Sequence, residues 1–166
     1  IRNPSGSQTM TKPFCVTLAL TLLLALSNAA SAETAHEAAR SFIVQSHAGD
    51  DLAAIALSAA KRTQTYGTLV AKLGAVEANT AVSNEINTLL PQYQPKWDQN
   101  LAAAYEKSFS PEELSSLAAE GRTSKYAGKV IQRQSEIGKN MPSSSGPILI
   151  SLVTEALEAC ISKNGL

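Results

Sequence analysis

Apolar residues recur along this chain at intervals of three and four, the spacing of one face of an α-helix, and no stretch sustains the alternation of a half-buried strand. The plainest case is residues 147–162, PILISLVTEALEACIS, where Ile148, Leu149, Leu152, Val153, Ala156, Leu157 and Cys160 make one stripe. That stripe predicts a central core helix opened by Pro147. Near the other end, Thr34-Ala35-His36-Glu37 matches a capping box, with Ala38, Ala39, Phe42 and Ile43 following at helical spacing. Gly49-Asp50-Asp51 is expected to end this first helix and cap a second, which carries Leu52, Ile55, Ala56, Ala59 and Ala60 and continues through Tyr66, Leu69, Val70 and Leu73 to a stop at Gly74. A third helix is expected over 75–90, where Ser83 offers an alternative second cap that would split the stretch. Pro91 and Pro95 then bracket a connection, and Pro95 opens a fourth helix that reaches about Lys107 and buries Trp97, Leu101, Ala104 and Tyr105.

The strongest local instruction is Phe109-Ser110-Pro111-Glu112-Glu113-Leu114. Ser110 can accept a hydrogen bond from a first-turn N–H, Pro111 suits the first helical position, and Glu113 can reach back to the cap. Phe109 and Leu114 flank the cap as a hydrophobic staple. A short fifth helix follows and ends at Gly121. Thr123 or Ser124 caps a sixth, carrying Tyr126, Val130, Ile131 and Ile137, with Gly128 and Gly138 as weak points. Met141-Pro142 and the serines 143–145 interrupt it. The fold class predicted is all-α, a compact bundle of about six or seven short helices.

Targeting features change the domain boundaries. Lys12, the 13-residue apolar run Phe14–Leu26 and the small residues Ala30-Ser31-Ala32 have the layout of a secretory signal starting at Met10 and cleaved after Ala32. The run is short for a membrane span, though a retained anchor is the competing reading. Residues 1–32 are thus assigned to upstream sequence and signal, and 33–166 to a single helical domain in the periplasm or secreted. No later stretch is expected to reach the length of a spanning helix.

Charge narrows the partners. The chain carries 14 acidic and 14 basic residues, and once Arg2 and Lys12 leave with the signal, 12 basic residues face 14 acidic ones. A slightly acidic net charge argues against a nucleic-acid or anionic-membrane partner, which would need a basic face. Cys15 departs with the signal, which leaves Cys160 alone in an oxidising compartment, with a disulfide-linked dimer as one outcome.

The residues around the corner resemble a family. An aromatic-containing helix with Tyr105, the Phe109–Leu114 corner, and then Tyr126-Ala127-Gly128-Lys129-Val130 with Gln134 and Glu136 look like the bacterial domain-of-unknown-function family 2059. The family's element "serine, proline, any residue, glycine, lysine" has its nearest counterpart in Ser124-Lys125-Tyr126-Ala127-Gly128-Lys129, which is longer and lacks the proline. The resemblance covers roughly residues 97–160. It implies an exported helical domain of unestablished activity and supplies no catalytic residues.

Candidate chemistry is sparse. His36 and His47 lie eleven residues apart, about three turns or ~16 Å along one helix, too far to share a metal unless the chain folds back between them. Neither HExxH nor paired cysteines occur, so no metal ligands are assigned. Cys160 sits on an apolar stripe near a helix C-terminus, the setting of a small buried hydrophobe. There is no GxSxG elbow and no glycine-rich phosphate loop, and no cofactor or catalytic residue is assigned. Glu112-Glu113 is accounted for by capping, and Glu155 with Glu158 by a solvated face.

The aromatics Tyr93, Trp97, Tyr105, Phe109 and Tyr126 are expected to gather where the fourth, fifth and sixth helices meet, chiefly as core. The sharper expectation is that Trp97, Tyr105, Phe109 and Tyr126 line an apolar groove. Two function classes follow. One is a non-enzymatic module that contacts a protein or a small apolar ligand. The other is an enzyme whose site is assembled from distant residues around His36 or His47.

Overall fold

A computed structural model describes residues 34–165, and all regular structure within them is helical. The expected signal segment, its cleavage site and Cys15 lie outside these residues. The seven helices are α1 (Ala35–Ser46), α2 (Leu52–Ala60), α3 (Gln64–Leu73), α4 (Ala75–Glu106), α5 (Pro111–Glu120), α6 (Ala127–Asn140) and α7 (Ser145–Lys163), with one 3-10 turn at Gly121–Thr123.

Both capping boxes form as their residues dictate. Thr34 Oγ1 accepts from Glu37 N while the Glu37 carboxylate accepts from Thr34 N, and Ser110 and Glu113 repeat the arrangement at the start of α5. Phe109 and Leu114 are buried in the same cluster, completing the staple. Asp51, by contrast, makes no side-chain cap to α2. His47 in the left-handed region (φ 55°) ends α1 instead, and a tight turn runs through Gly49 into α2.

The expected second helix breaks in two. Thr63 is extended and its Oγ1 accepts from Tyr66 N, so α3 begins there with its own cap. Gly74, at φ 92°, ends α3 as expected. The expected third and fourth helices instead fuse into α4, 32 residues or roughly 48 Å long, with Ser83, Pro91 and Pro95 inside it. A proline removes the N–H that would bond the carbonyl four residues back. Here those carbonyls belong to Asn87 and Pro91, and residues 87, 91 and 95 all lie on the exposed face, where water can satisfy them. The opposite face keeps the helix whole by burying Val82, Ile86, Tyr93 and Trp97. The bundle is therefore not built of short helices throughout.

α4 is the spine of two core clusters. Its first two-thirds pack with α2, α3 and α7 around Leu52, Leu69, Val82, Ile86, Leu152 and Cys160. Its last two turns pack with α1 and α6, and α5 packs on α1, around Phe42, Ala104, Tyr105, Phe109, Leu114, Leu117 and Ile137. Each fully buried Leu or Ile of this kind contributes about 1.5–3 kcal/mol relative to exposure. Asn100, buried between the clusters, donates to Ser144 Oγ and Ser145 Oγ at 3.0 Å and ties the start of α7 to α4.

α7 is the core helix its stripe predicts. It begins at Ser145, two residues before Pro147, and spans 19 residues. By length and composition alone it is long and apolar enough to cross a membrane, which corrects the expectation that no later stretch reaches that length. Its inner face (Leu152, Val153, Ala156, Leu157, Cys160) is buried in the first cluster, while Glu155 and Glu158 are exposed.

Candidate functional site

The aromatic residues do not meet at one corner. Tyr93 and Trp97 belong to the first cluster, and Tyr105 and Phe109 to the second, because eight residues of α4 separate Trp97 from Tyr105. Phe42 of α1 completes the second group: its ring lies 4.9 Å from Tyr105, which in turn stacks on Phe109 at 5.7 Å. Trp97 Nε1 is buried with no hydrogen-bond partner among the described residues.

An apolar groove opens beside the second cluster. α6 packs on α4, reaches the second cluster through Val130 and Ile137 and is tied to α5 by Lys129 and Glu113, but its backbone comes close to α1 and α5 at few points. The gap holds about 700 Å³ and is lined by Phe42 and Ser46 of α1, Ala48, Tyr105, Leu117 of α5, Gly121, Arg122, and Ala127, Gly128, Val130 and Ile131 of α6. Gly121 and Gly128 widen it, since a Cβ on either would meet nothing within 4 Å. Gly121 is also required by its backbone, at φ 57°. Ser46 uses its hydroxyl on Phe42 O at 2.7 Å, so it adds little polarity. Ile131 is 77 % exposed on the groove wall, the most exposed large apolar residue described.

Of the four residues expected to line a groove, only Tyr105 does so. Phe109 is buried behind it, with Lys129 Nζ 5.0 Å and Arg133 Cζ 5.9 Å from its ring centre. Tyr126 is half-buried at the start of α6 under the Lys125 ammonium, and Trp97 is in the other cluster. Burial pushes the Tyr105 phenol up, and the Asp51 carboxylate adds to the shift. The lining residues that sequence reasoning passed over are Phe42, Leu117, Arg122 and Ile131. One signal was available: Val130 and Ile131 are adjacent, 100° apart on a helix with little other apolar surface, so one of them had to face outward.

The corner beneath the groove is held by polar contacts. Lys129 Nζ donates to both Glu113 oxygens, and this contact, the Ser110 N–H and nearby positive charge hold the Glu113 carboxyl below its usual range. Arg133 donates to Ser108 O, and Asn140 to Ser108 Oγ at 3.1 Å, fixing α6 to the end of α4.

The histidines stand elsewhere. His36 Nδ1 lies 3.4 Å from Glu106 Oε2, with both side chains partly exposed, and His47 Nδ1 lies 3.2 Å from the exposed Asp50 carboxylate. Neither lines a described pocket, and no group of three or more metal-ligating side chains converges among the described residues. A smaller depression of about 330 Å³ between α1 and α4 carries Arg40, Asp98 and Gln99 with Ile43, Val44 and Pro95, but no nucleophile or base beyond Asp98. Tyr93 Oη donates to Glu155 Oε1 at 2.5 Å, and burial, followed by that carboxylate, pushes the phenol up to about 12. Cys160 is 1 % exposed, and burial raises its thiol, with Glu85 adding to the effect. A disulfide between copies through Cys160 requires α7 to leave the core first.

Comparison of the chain with protein-family models, with curated proteins and with solved structures finds no match.

Proposed function

We propose that this is an exported, non-enzymatic binding module, periplasmic or secreted after cleavage following Ala32, which holds an apolar ligand in the groove between α1, α5 and α6. The observation that carries the reading is the open apolar groove itself, with Ile131 on its wall in water. Its volume falls in the range of small-molecule sites, and a helical bundle commonly builds such sites between helices. The resemblance to family 2059, over the corner that positions α5 and α6, is consistent with this assignment and forms part of the proposal.

Native mass spectrometry of the protein purified from a producing cell tests it. The expected result is a mass excess that exchanges for added apolar compounds and is reduced in a Gly128→Leu variant, whose side chain would occupy part of the groove. A mass excess undiminished in that variant places the ligand elsewhere. A bare mass that no apolar compound shifts overturns the reading. The catalytic alternative rests on the His36–Glu106 pair, and a hydrolytic or transfer activity lost in His36→Ala would favour it.

A further inference from the structure

We propose that the groove takes a free single-chain amphiphile with one anionic head, of the fatty-acid type, with the Arg122 guanidinium binding the head group; this rests on the reading of the groove as a ligand site. The first observation is charge. Arg122 is the one charged residue among those that line the groove, and no described acidic residue joins it there. Residues 121–135 hold four basic side chains and no acidic one. Lys129 is engaged by Glu113 and Arg133 by Ser108 O, and Lys125 lies over the Tyr126 ring away from the groove lining, whereas Arg122 is on the lining and forms no ion pair or hydrogen bond with a described residue. A guanidinium so placed offers two parallel N–H donors to a carboxylate.

The second observation is shape. The groove is a gap left where α6 stands off α1 and α5, lined by Phe42, Leu117, Val130 and Ile131, with no other charge to solvate a second polar group. Its occupant is therefore apolar along its length and charged at one end. The exposed Ile131 side chain and the Gly128 backbone gain cover when a chain lies against them. A second copy of this protein or an amphipathic helix would cover the same surface, but neither accounts for one cation alone on an otherwise uncharged lining.

The test is isothermal titration calorimetry of the purified protein with decanoate and with decan-1-ol, both below the concentration at which they aggregate. Decanoate is expected to bind about tenfold more tightly than the alcohol, equivalent to about 1.4 kcal/mol. Arg122→Gln is expected to remove that preference while leaving the alcohol's affinity unchanged. Gly128→Leu is expected to weaken binding of both. If Gly128→Leu melts early by circular dichroism, Ile131→Asp, at an exposed position, replaces it and must weaken decanoate more than decanol. Equal affinity for the two ligands, or a preference untouched by Arg122→Gln, overturns the anionic assignment and leaves the apolar groove standing. Absence of binding by either ligand, or binding undiminished in the Gly128→Leu variant, overturns the groove itself. A protein that dimerises through the groove shows a concentration-dependent mass lost in Ile131→Asp, which also counts against the amphiphile.

Discussion

Lys129 Nζ donates to both oxygens of Glu113, so the residue that closes the capping box of α5 also anchors the first turn of α6. The two side chains are 27 % and 17 % exposed, which shields the pair more than an ordinary surface contact. Glu113 has a lowered folded pKa, so its contribution to stability is fully present above the unfolded value near 4.5 and is lost as pH falls through the lower folded value. Lys129→Met should lower stability at pH 7 by about 0.5–1 kcal/mol. The gap between variant and wild type should narrow as pH falls through the lowered folded value of Glu113, where its carboxylate takes up a proton. Thermal melts at several pH values measure this, and a gap that does not narrow at any acidic pH at which the wild type still folds would refute the role given to Glu113.

Gly49 is buried against α4, and a Cβ there would overlap the Asp98 carboxylate. Asp98 cannot simply swing away, because Gln94 Nε2 binds its Oδ1 at 2.7 Å and Gly49 O at 2.8 Å. Gly49→Ala should therefore destabilise by about 1–3 kcal/mol, the usual cost of overpacking. Urea denaturation checks it, and Gln94→Ala in the same background should recover part of the loss by freeing Asp98.

Pro91 sits on the exposed face of an unbroken helix. Replacing it with Ala restores an N–H to the Asn87 carbonyl and removes the ring's clash with the preceding turn. Pro91→Ala should stabilise by about 1–3 kcal/mol, the reverse of the usual proline penalty. An unchanged or lower melting temperature would mean that α4 bends at Pro91 and that the bend is needed by the packing of Tyr93.

Cys160 is sealed in the first cluster. Its reaction with a neutral thiol reagent should be slow and should accelerate with denaturant in parallel with unfolding, as for a group exposed by opening. On a non-reducing gel the native protein should run as a monomer. A prompt disulfide dimer without denaturant would place Cys160 at a real interface.

Local chemistry was readable where one side chain decides one hydrogen bond. Thr34 with Glu37, and Ser110 with Glu113, fixed two helix starts, and Gly74 and Gly121 fixed two ends. The stripe of α7 was equally plain, since seven apolar positions agree on one face. Errors came where a local signal met a stronger distant one. Pro91 and Pro95 suggest a break, yet burial of Val82, Ile86, Tyr93 and Trp97 along the other face outweighs two missing hydrogen bonds on a face open to solvent. The apolar spacing carries the second helix on from Ala60 to Tyr66, yet Thr63 between them caps α3. The expected count of about six or seven helices holds for the described residues, although one expected helix splits and two others fuse.

The sequence by itself determined an all-helical chain, its two capped corners and the burial of the last helix, because helix periodicity and capping act within a few residues. Only the tertiary structure decided that Phe42 meets Tyr105, that Trp97 belongs to a different cluster, and that α6 stands off α1 and α5 to leave a groove with Arg122 on its lining. Those facts depend on how a 32-residue helix places two ends of the molecule far apart, and on which face of α6 finds no neighbour. Neither is a property of any short window of residues.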